Sequence, residues 1–203
     1  MTNFYHRGDL PAGLDFGDSV AIDTETMGLK LRRDRLCVIQ LSAGDGNAHV
    51  VHLTDGDYRA PHLRALLTNP KVTKLFHFAR FDLAMIQRYF GIVCSPVYCT
   101  KVASKLCRTN TDRHGLKDLC RDLLGVDLSK QQQTSDWGAP SLTAEQIAYA
   151  ASDVLHLHAL RRRMDELLDR EGRAHLADAC FSFLPVRAAL DLAGWEDEDI
   201  FTH

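Results

Sequence analysis

Asp23 and Glu25 lie two residues apart at the end of an apolar run that begins at Ser19. Alternate side chains of an extended strand share a face, so both carboxylates point the same way. Side-by-side carboxylates repel unless a cation lies between them, and hard cations such as Mg²⁺ prefer oxygen ligands. A strand that has merely reached solvent is the competing reading. Asp82 follows His77, Ala79, Arg80 and Phe81 in a segment that comes off a short strand and opens a helix. The helix dipole favours a carboxylate there whether or not it binds anything. His77 by itself reads as a hydrogen-bonded core or turn residue. Tyr149 and Asp153 stand four apart in a helix and share one of its faces. The small residues between them, Ala150, Ala151 and Ser152, allow close approach to another element. A Tyr at this spacing is suited to orienting water beside a metal held by Asp153; a core-edge Tyr with a solvated Asp is the plainer alternative.

The elements that must position these groups follow from periodicity. Ser19 to Thr24, Leu36 to Ser42 and Ala48 to Leu53 read as strands, with a turn at Gly44 to Asn47, and together as an antiparallel meander. Tyr58 to Leu67 has helical spacing, Val72 to Phe76 is a short strand, and Ala79 to Phe90 is a helix closed by Gly91. Val97 to Cys99 is a short strand followed by a helix through Leu106. From Gly115 the pattern is helical, and Lys130 to Pro140 is a polar loop containing Trp137. Thr143, with Gln146 three residues on, caps a helix that is expected to run to about Arg170. A last helix covers roughly His175 to Leu190, and Trp195 to Asp199 read as an acidic tail. Strands followed by helices indicate an α/β domain with one mixed sheet.

Composition narrows the function classes. The chain has 203 residues, 45% hydrophobic and 25% charged, which suits a single globular domain. That domain is expected to span 1–203, with a core at about 19–168 and a C-terminal helix and tail at about 172–203. No apolar run approaches the ~20 residues needed to cross a membrane, and the N-terminus lacks a signal-peptide pattern, so a cytoplasmic location is expected. The six cysteines form no Cys-x-x-Cys pair and read as free thiols. A net charge of −3 argues against a protein that coats long duplexes. Arg161, Arg162 and Arg163 read as a solvated face. Lys30, Arg32, Arg33 and Arg35 directly follow the first acidic pair, where a phosphate role and a solvated face are equally good readings.

In order and context, Asp23-Thr24-Glu25-Thr26, then His77-x-Ala79-Arg80-Phe81-Asp82, then Tyr149-x-x-x-Asp153 resemble the three exonuclease motifs of the DEDD superfamily, in its Tyr-containing branch. His114 to Leu119, Leu124 to Lys130, Ser135 to Gly138 and Leu142 to Asp153 resemble ribonuclease D, so the likeness runs from about Ser19 to Leu168. Ribonuclease D continues into helical nucleic-acid-binding domains, for which little chain remains here. The short form resembles nano-RNase C, a stand-alone member that degrades very short oligoribonucleotides, dinucleotides included, and assembles as a homo-octamer. Cys99-Thr100 stands where many ribonuclease D sequences have Asp-Thr; that Asp is not one of the four acidic ligands.

The resemblance implies a ribonuclease H-like fold and a two-metal-ion 3′-to-5′ exoribonuclease that releases 5′-nucleoside monophosphates. Asp23, Glu25 and Asp153 would hold one Mg²⁺ or Mn²⁺, Asp23 and Asp82 a second, and Tyr149 would orient the attacking water. Substrate contacts would come from Thr24, Met27, Gly28, Leu29, His77, Arg80 and Phe81. In related exonucleases a side chain of the Met27–Leu29 stretch wedges between the last two bases; Leu29 is the first candidate and Met27 the second, with ordinary core residues the competing reading. Lys30, Arg32, Arg33 or Arg113 would contact a 5′ phosphate. Short single-stranded RNA, with DNA as the rival, and further copies of the chain are the expected partners. The alternatives are a DNA or tRNA 3′-end-processing exonuclease and an inactive oligonucleotide-binding module.

Overall fold

A computed structural model describes residues 2–54, 56–129 and 134–203. Lys130, the end of one ribonuclease D-like segment and the start of the expected polar loop, lies outside the described residues.

Among the described residues six strands form one mixed sheet: β1 (Asn3–Arg7), β2 (Ser19–Thr26), β3 (Leu36–Ser42), β4 (Ala48–His52), β5 (Thr73–Phe76) and β6 (Val97–Cys99). Their spatial order is β1-β4-β3-β2-β5-β6. The expected meander is present, because β2–β3 and β3–β4 are antiparallel. β5 and β6 add parallel strands beyond β2. Every residue of β3 is buried, which accounts for its nearly continuous apolar run. The sequence did not announce β1. It pairs parallel with β4 through five residues of mixed polarity, so it owes its extended form to that partner and not to a pattern of its own.

Helices α1 (Pro61–Thr68), α2 (Ala79–Phe90), α3 (Thr100–Cys107), α4 (Leu116–Leu119), α5 (Ala144–Val154), α6 (Leu157–Arg170) and α7 (Ala174–Leu190) flank the sheet. α4 continues into a wide π-helical turn, Cys120–Leu124. Gly91 closes α2 in the left-handed conformation, which costs glycine least. Thr143 and Gln146 form the full capping box: the Thr143 hydroxyl accepts from the Gln146 backbone N–H, and the Gln146 side-chain oxygen Oε1 accepts from the Thr143 backbone N–H. Such a cap stabilises a helix start by about 1 kcal/mol, here the start of the helix that carries Tyr149 and Asp153. The single helix expected to reach Arg170 is two, interrupted at Leu155–His156. Its apolar period continues across the break, so periodicity alone does not reveal it. Ala177, Phe181, Leu184 and Ala188 make the buried stripe of α7, which packs against α2 and α3. Among the described residues no helix is long and apolar enough to cross a membrane.

Candidate active site

Four acidic side chains converge at the end of β2. Asp23 and Glu25 share a face of this strand, and the β2–β3 register shifts between Glu25 and Thr26, a bulge that ends regular pairing where the carboxylates emerge. α5 packs on the sheet through fully buried Ala150 and Ala151 and brings in Asp153. One carboxylate oxygen each from Asp23, Glu25 and Asp153 lies within 4.8 Å of the others. Thr24 alternates to the other side of β2. There its hydroxyl donates to Asp82 Oδ1 at 2.6 Å, so the first motif fixes the carboxylate of the second. The sequence placed Thr24 among the substrate contacts; here it braces Asp82 and also reaches the cleft wall.

The electrostatics of this group are unfavourable on their own. The three β2 and α5 carboxylates keep an accessible edge on the cleft but are surrounded by protein. Burial pushes Glu25 up to about 9, with Asp153 and Asp82 adding to the shift. Burial likewise pushes Asp82 and Asp153 up to about 7, against the Thr24 hydrogen bond in the case of Asp82. Asp23 is held well above the usual carboxylate range by burial and then by Asp82, Asp153 and Glu25. All the charges acting on it have one sign, and an all-oxygen donor set of this kind suits a hard divalent cation. Tyr149, raised further above 10 by burial and by Asp153, Glu25 and Asp23, keeps its proton.

The carboxylates form one wall of a cleft of about 890 Å³. Met27, Gly28, Leu29, His77 and Phe81 line it, as expected. Leu29 is 81% exposed and Met27 48%, which is not how core residues sit. Their turn is braced by Asp34, which accepts from the Lys30 N–H at 2.9 Å. Gly28 serves this packing, since an added Cβ would lie 2.4 Å from Asp34 Oδ2. Thr100 Oγ1 donates its one proton to the Phe76 carbonyl at 3.2 Å, so His77 Nδ1, 3.0 Å from that oxygen, must be the donor between them. Burial and Lys101 push His77 down to about 3, leaving a neutral ring with a proton-free Nε2.

Arg80 is not brought into the cleft. Its guanidinium binds Asp191 at 2.6 and 2.7 Å and the Glu196 carbonyl. The basic cluster is also largely engaged within the chain: Arg32 reaches the Leu192 carbonyl, Arg33 pairs with Asp34, and Arg35 donates to the Gly138 carbonyl. Lys30 and Arg113 are exposed. Sequence reasoning missed Phe78 and Lys117 as cleft residues and gave Trp137 no role. Phe78 is a non-glycine residue in the left-handed region (φ 70°), with Lys101 Nζ 4.3 Å from its ring centre. Strained backbone of this kind clusters at functional sites in proteins generally, and it leaves no trace in residue type. Trp137 is almost fully buried, 6.1 Å from the Tyr149 ring, and its indole N–H has no partner among the described residues. Its place inside a ribonuclease D-like segment was the signal available.

A family profile described as 3′-5′ exonuclease matches residues 10–169. Ribonuclease D of Gluconacetobacter diazotrophicus is 38% identical over 154 residues, 76% of this chain and 39% of that protein. The chain thus spans about two-fifths of the length of such curated relatives. Brucella melitensis NrnC, solved with bound Mg²⁺, superposes with a TM-score of 0.96 at 53% identity over 100% of both chains. The same protein bound to pGG gives 0.97 at 54% identity, over 100% of this chain and 99% of that one. The acidic wall, the tyrosine beside it and this likeness place the chain in the 3′-5′ exonuclease family, among its ribonuclease D-like members of the NrnC type.

Proposed function

We infer that the protein is a 3′-to-5′ exoribonuclease that hydrolyses short RNA, dinucleotides included, to 5′-nucleoside monophosphates. One observation carries this reading: three carboxylates converge beside an apolar wedge in a cleft whose whole-chain counterpart, NrnC, has been solved with pGG. Asp23, Glu25 and Asp153 would hold one Mg²⁺ or Mn²⁺, and Asp23 with Asp82 a second. When bound, such ions lower the pKa of the attacking water and offset charge on the leaving oxygen. Tyr149, which retains its proton, would hydrogen-bond to that water and orient it toward the 3′-terminal phosphodiester. The proton-free Nε2 of His77 accepts from a hydroxyl, which suits a ribose better than a phosphate. Exposed Leu29 separates the two bases, with Met27 the second candidate for that place. A homo-oligomer working in the cytoplasm belongs to the same reading.

The test is a product-length assay with 5′-labelled RNA dinucleotide, an RNA of about twenty residues and the matching DNA, with EDTA as control. Rapid metal-dependent conversion of the dinucleotide is expected. Laddering of the long RNA with the dinucleotide untouched would favour a 3′-end-processing ribonuclease. Faster DNA cleavage would favour the repair reading, and no cleavage an oligonucleotide-binding module. Leu29→Ala is expected to raise KM for the dinucleotide roughly tenfold, the loss of about 1.4 kcal/mol of apolar contact, without lowering the melting temperature. Unfolding by this substitution would return Leu29 to the core.

A further inference from the structure

Gln40 is the one amide in the apolar run of β3, and it is completely buried. It faces Asp23 directly across the antiparallel pair. Its Nε2 donates to Asp23 Oδ2 at 2.8 Å, and its carbonyl oxygen is buried with no partner among the described residues. A buried amide with its carbonyl oxygen unmet weakens a fold relative to an apolar side chain of the same shape. Packing therefore does not explain why this position holds Gln. The bond to Asp23 does.

We propose that Gln40 is the positioning residue for Asp23: its bond to Oδ2 fixes the carboxylate plane and holds the group in reach of Glu25 and Asp153. Without that bond the Asp23 carboxylate, repelled by its three acidic neighbours, is free to turn away from them. The amide opposes that rotation from a rigid, fully buried strand. Outer hydrogen bonds of this type orient metal-ligating carboxylates, and their loss typically weakens metal binding by about 10–100-fold. The proposal rests on the metal-site reading above, and its test separates the two.

Purified wild type, Asp23→Asn, Gln40→Met and Gln40→Asn proteins are melted across a range of Mg²⁺ and, separately, Mn²⁺ concentrations, with EDTA as the zero point. Met replaces Gln at similar volume without polar atoms; Asn keeps the amide but falls a methylene short. Wild type is expected to gain stability with metal, and Asp23→Asn to lose that gain. Gln40→Met is expected to melt in EDTA at or above the wild-type temperature, while the metal concentration at half-maximal stabilisation rises at least about tenfold. Gln40→Asn shows the same rise and stands in if the Met protein does not fold. A half-point within twofold of wild type, in either variant, overturns the proposal while leaving the metal site intact. If both variants fail to fold, Gln40 is a fold residue and the proposal is overturned. Absence of any metal response in wild type overturns the site reading and the proposal together.

Discussion

Asp23→Asn is expected to slow dinucleotide hydrolysis by at least about 10³-fold, roughly 4 kcal/mol of barrier, while raising the melting temperature of the metal-free protein. The two effects share one cause. Asp23 would serve both proposed cations, and without them it has three acidic neighbours raising its pKa, against two for Glu25. A carboxyl whose folded pKa is raised binds its proton more tightly in the folded chain than in the unfolded one. Its contribution to stability is complete below the unfolded value near 4 and is lost as pH rises through the folded value. With Asp82 and Asp153 at about 7 and Glu25 at about 9, that window runs from about pH 4 to 9. In EDTA the wild type should therefore lose stability between pH 5 and 8, and Mg²⁺ should restore it most at pH 8, because metal and protons compete for the same oxygens. Removing one charge from the cluster relieves on the order of 1–2 kcal/mol at pH 8, about 2–8 °C for a chain of this size. Thermal melts at pH 5, 6.5 and 8, with EDTA or Mg²⁺, check both parts. A lower melting temperature for Asp23→Asn in EDTA at pH 8 would show that the acidic cluster is not under strain.

Whatever depends on local period or local chemistry is legible in the order of residues alone. The uninterrupted apolar character of Leu36 to Ser42 marks a strand buried on both faces, and Thr143 with Gln146 marks a helix start to the residue. The two-residue spacing of Asp23 and Glu25 places them on one face, and the order of the motifs supplies Asp82, Tyr149 and Asp153. That three of the acids meet within 4.8 Å cannot be read this way, because α5 and β2 are joined only by the fold. Three other features are hidden for the same reason. β1 has no alternating pattern and exists through β4. Gln40 looks like an ordinary interruption of an apolar run until its partner across the sheet is in place. Thr24 reads as a polar residue beside the acids, yet its hydroxyl is used on a residue of α2, Asp82. Phe78 differs again: its left-handed backbone is imposed by the junction of β5 and α2, and no side-chain type announces it.

Asp191→Ala should produce the largest loss of stability outside the site, about 3 kcal/mol, or roughly 6–12 °C in melting temperature. Asp191 is 2% exposed and accepts from both Arg80 and Arg187, whose Nε lies at 3.0 Å. Its removal leaves two neighbouring guanidinium groups without their shared anion, and breaking a buried pair from one side is the costly direction. Arg80 retains about a third of its side-chain exposure, so solvent screening keeps the effect near the lower end of the usual ~3–5 kcal/mol. The same geometry decides what Arg80 does. It stands two residues before Asp82, where the motif suggested a substrate contact. Yet both of its interacting nitrogens are committed to Asp191 and to the Glu196 carbonyl, tying the first turn of α2 to the segment that follows α7. Arg80→Met leaves Asp191 its second partner, so it should cost less than Asp191→Ala, about 1–2 kcal/mol. It should also leave KM for the dinucleotide within about threefold of wild type, a difference under ~0.7 kcal/mol. A tenfold rise in KM at an unchanged melting temperature would reverse the assignment. It would mean that the guanidinium leaves Asp191 when RNA binds, and that the acidic segment after α7 competes with the substrate for the same cation.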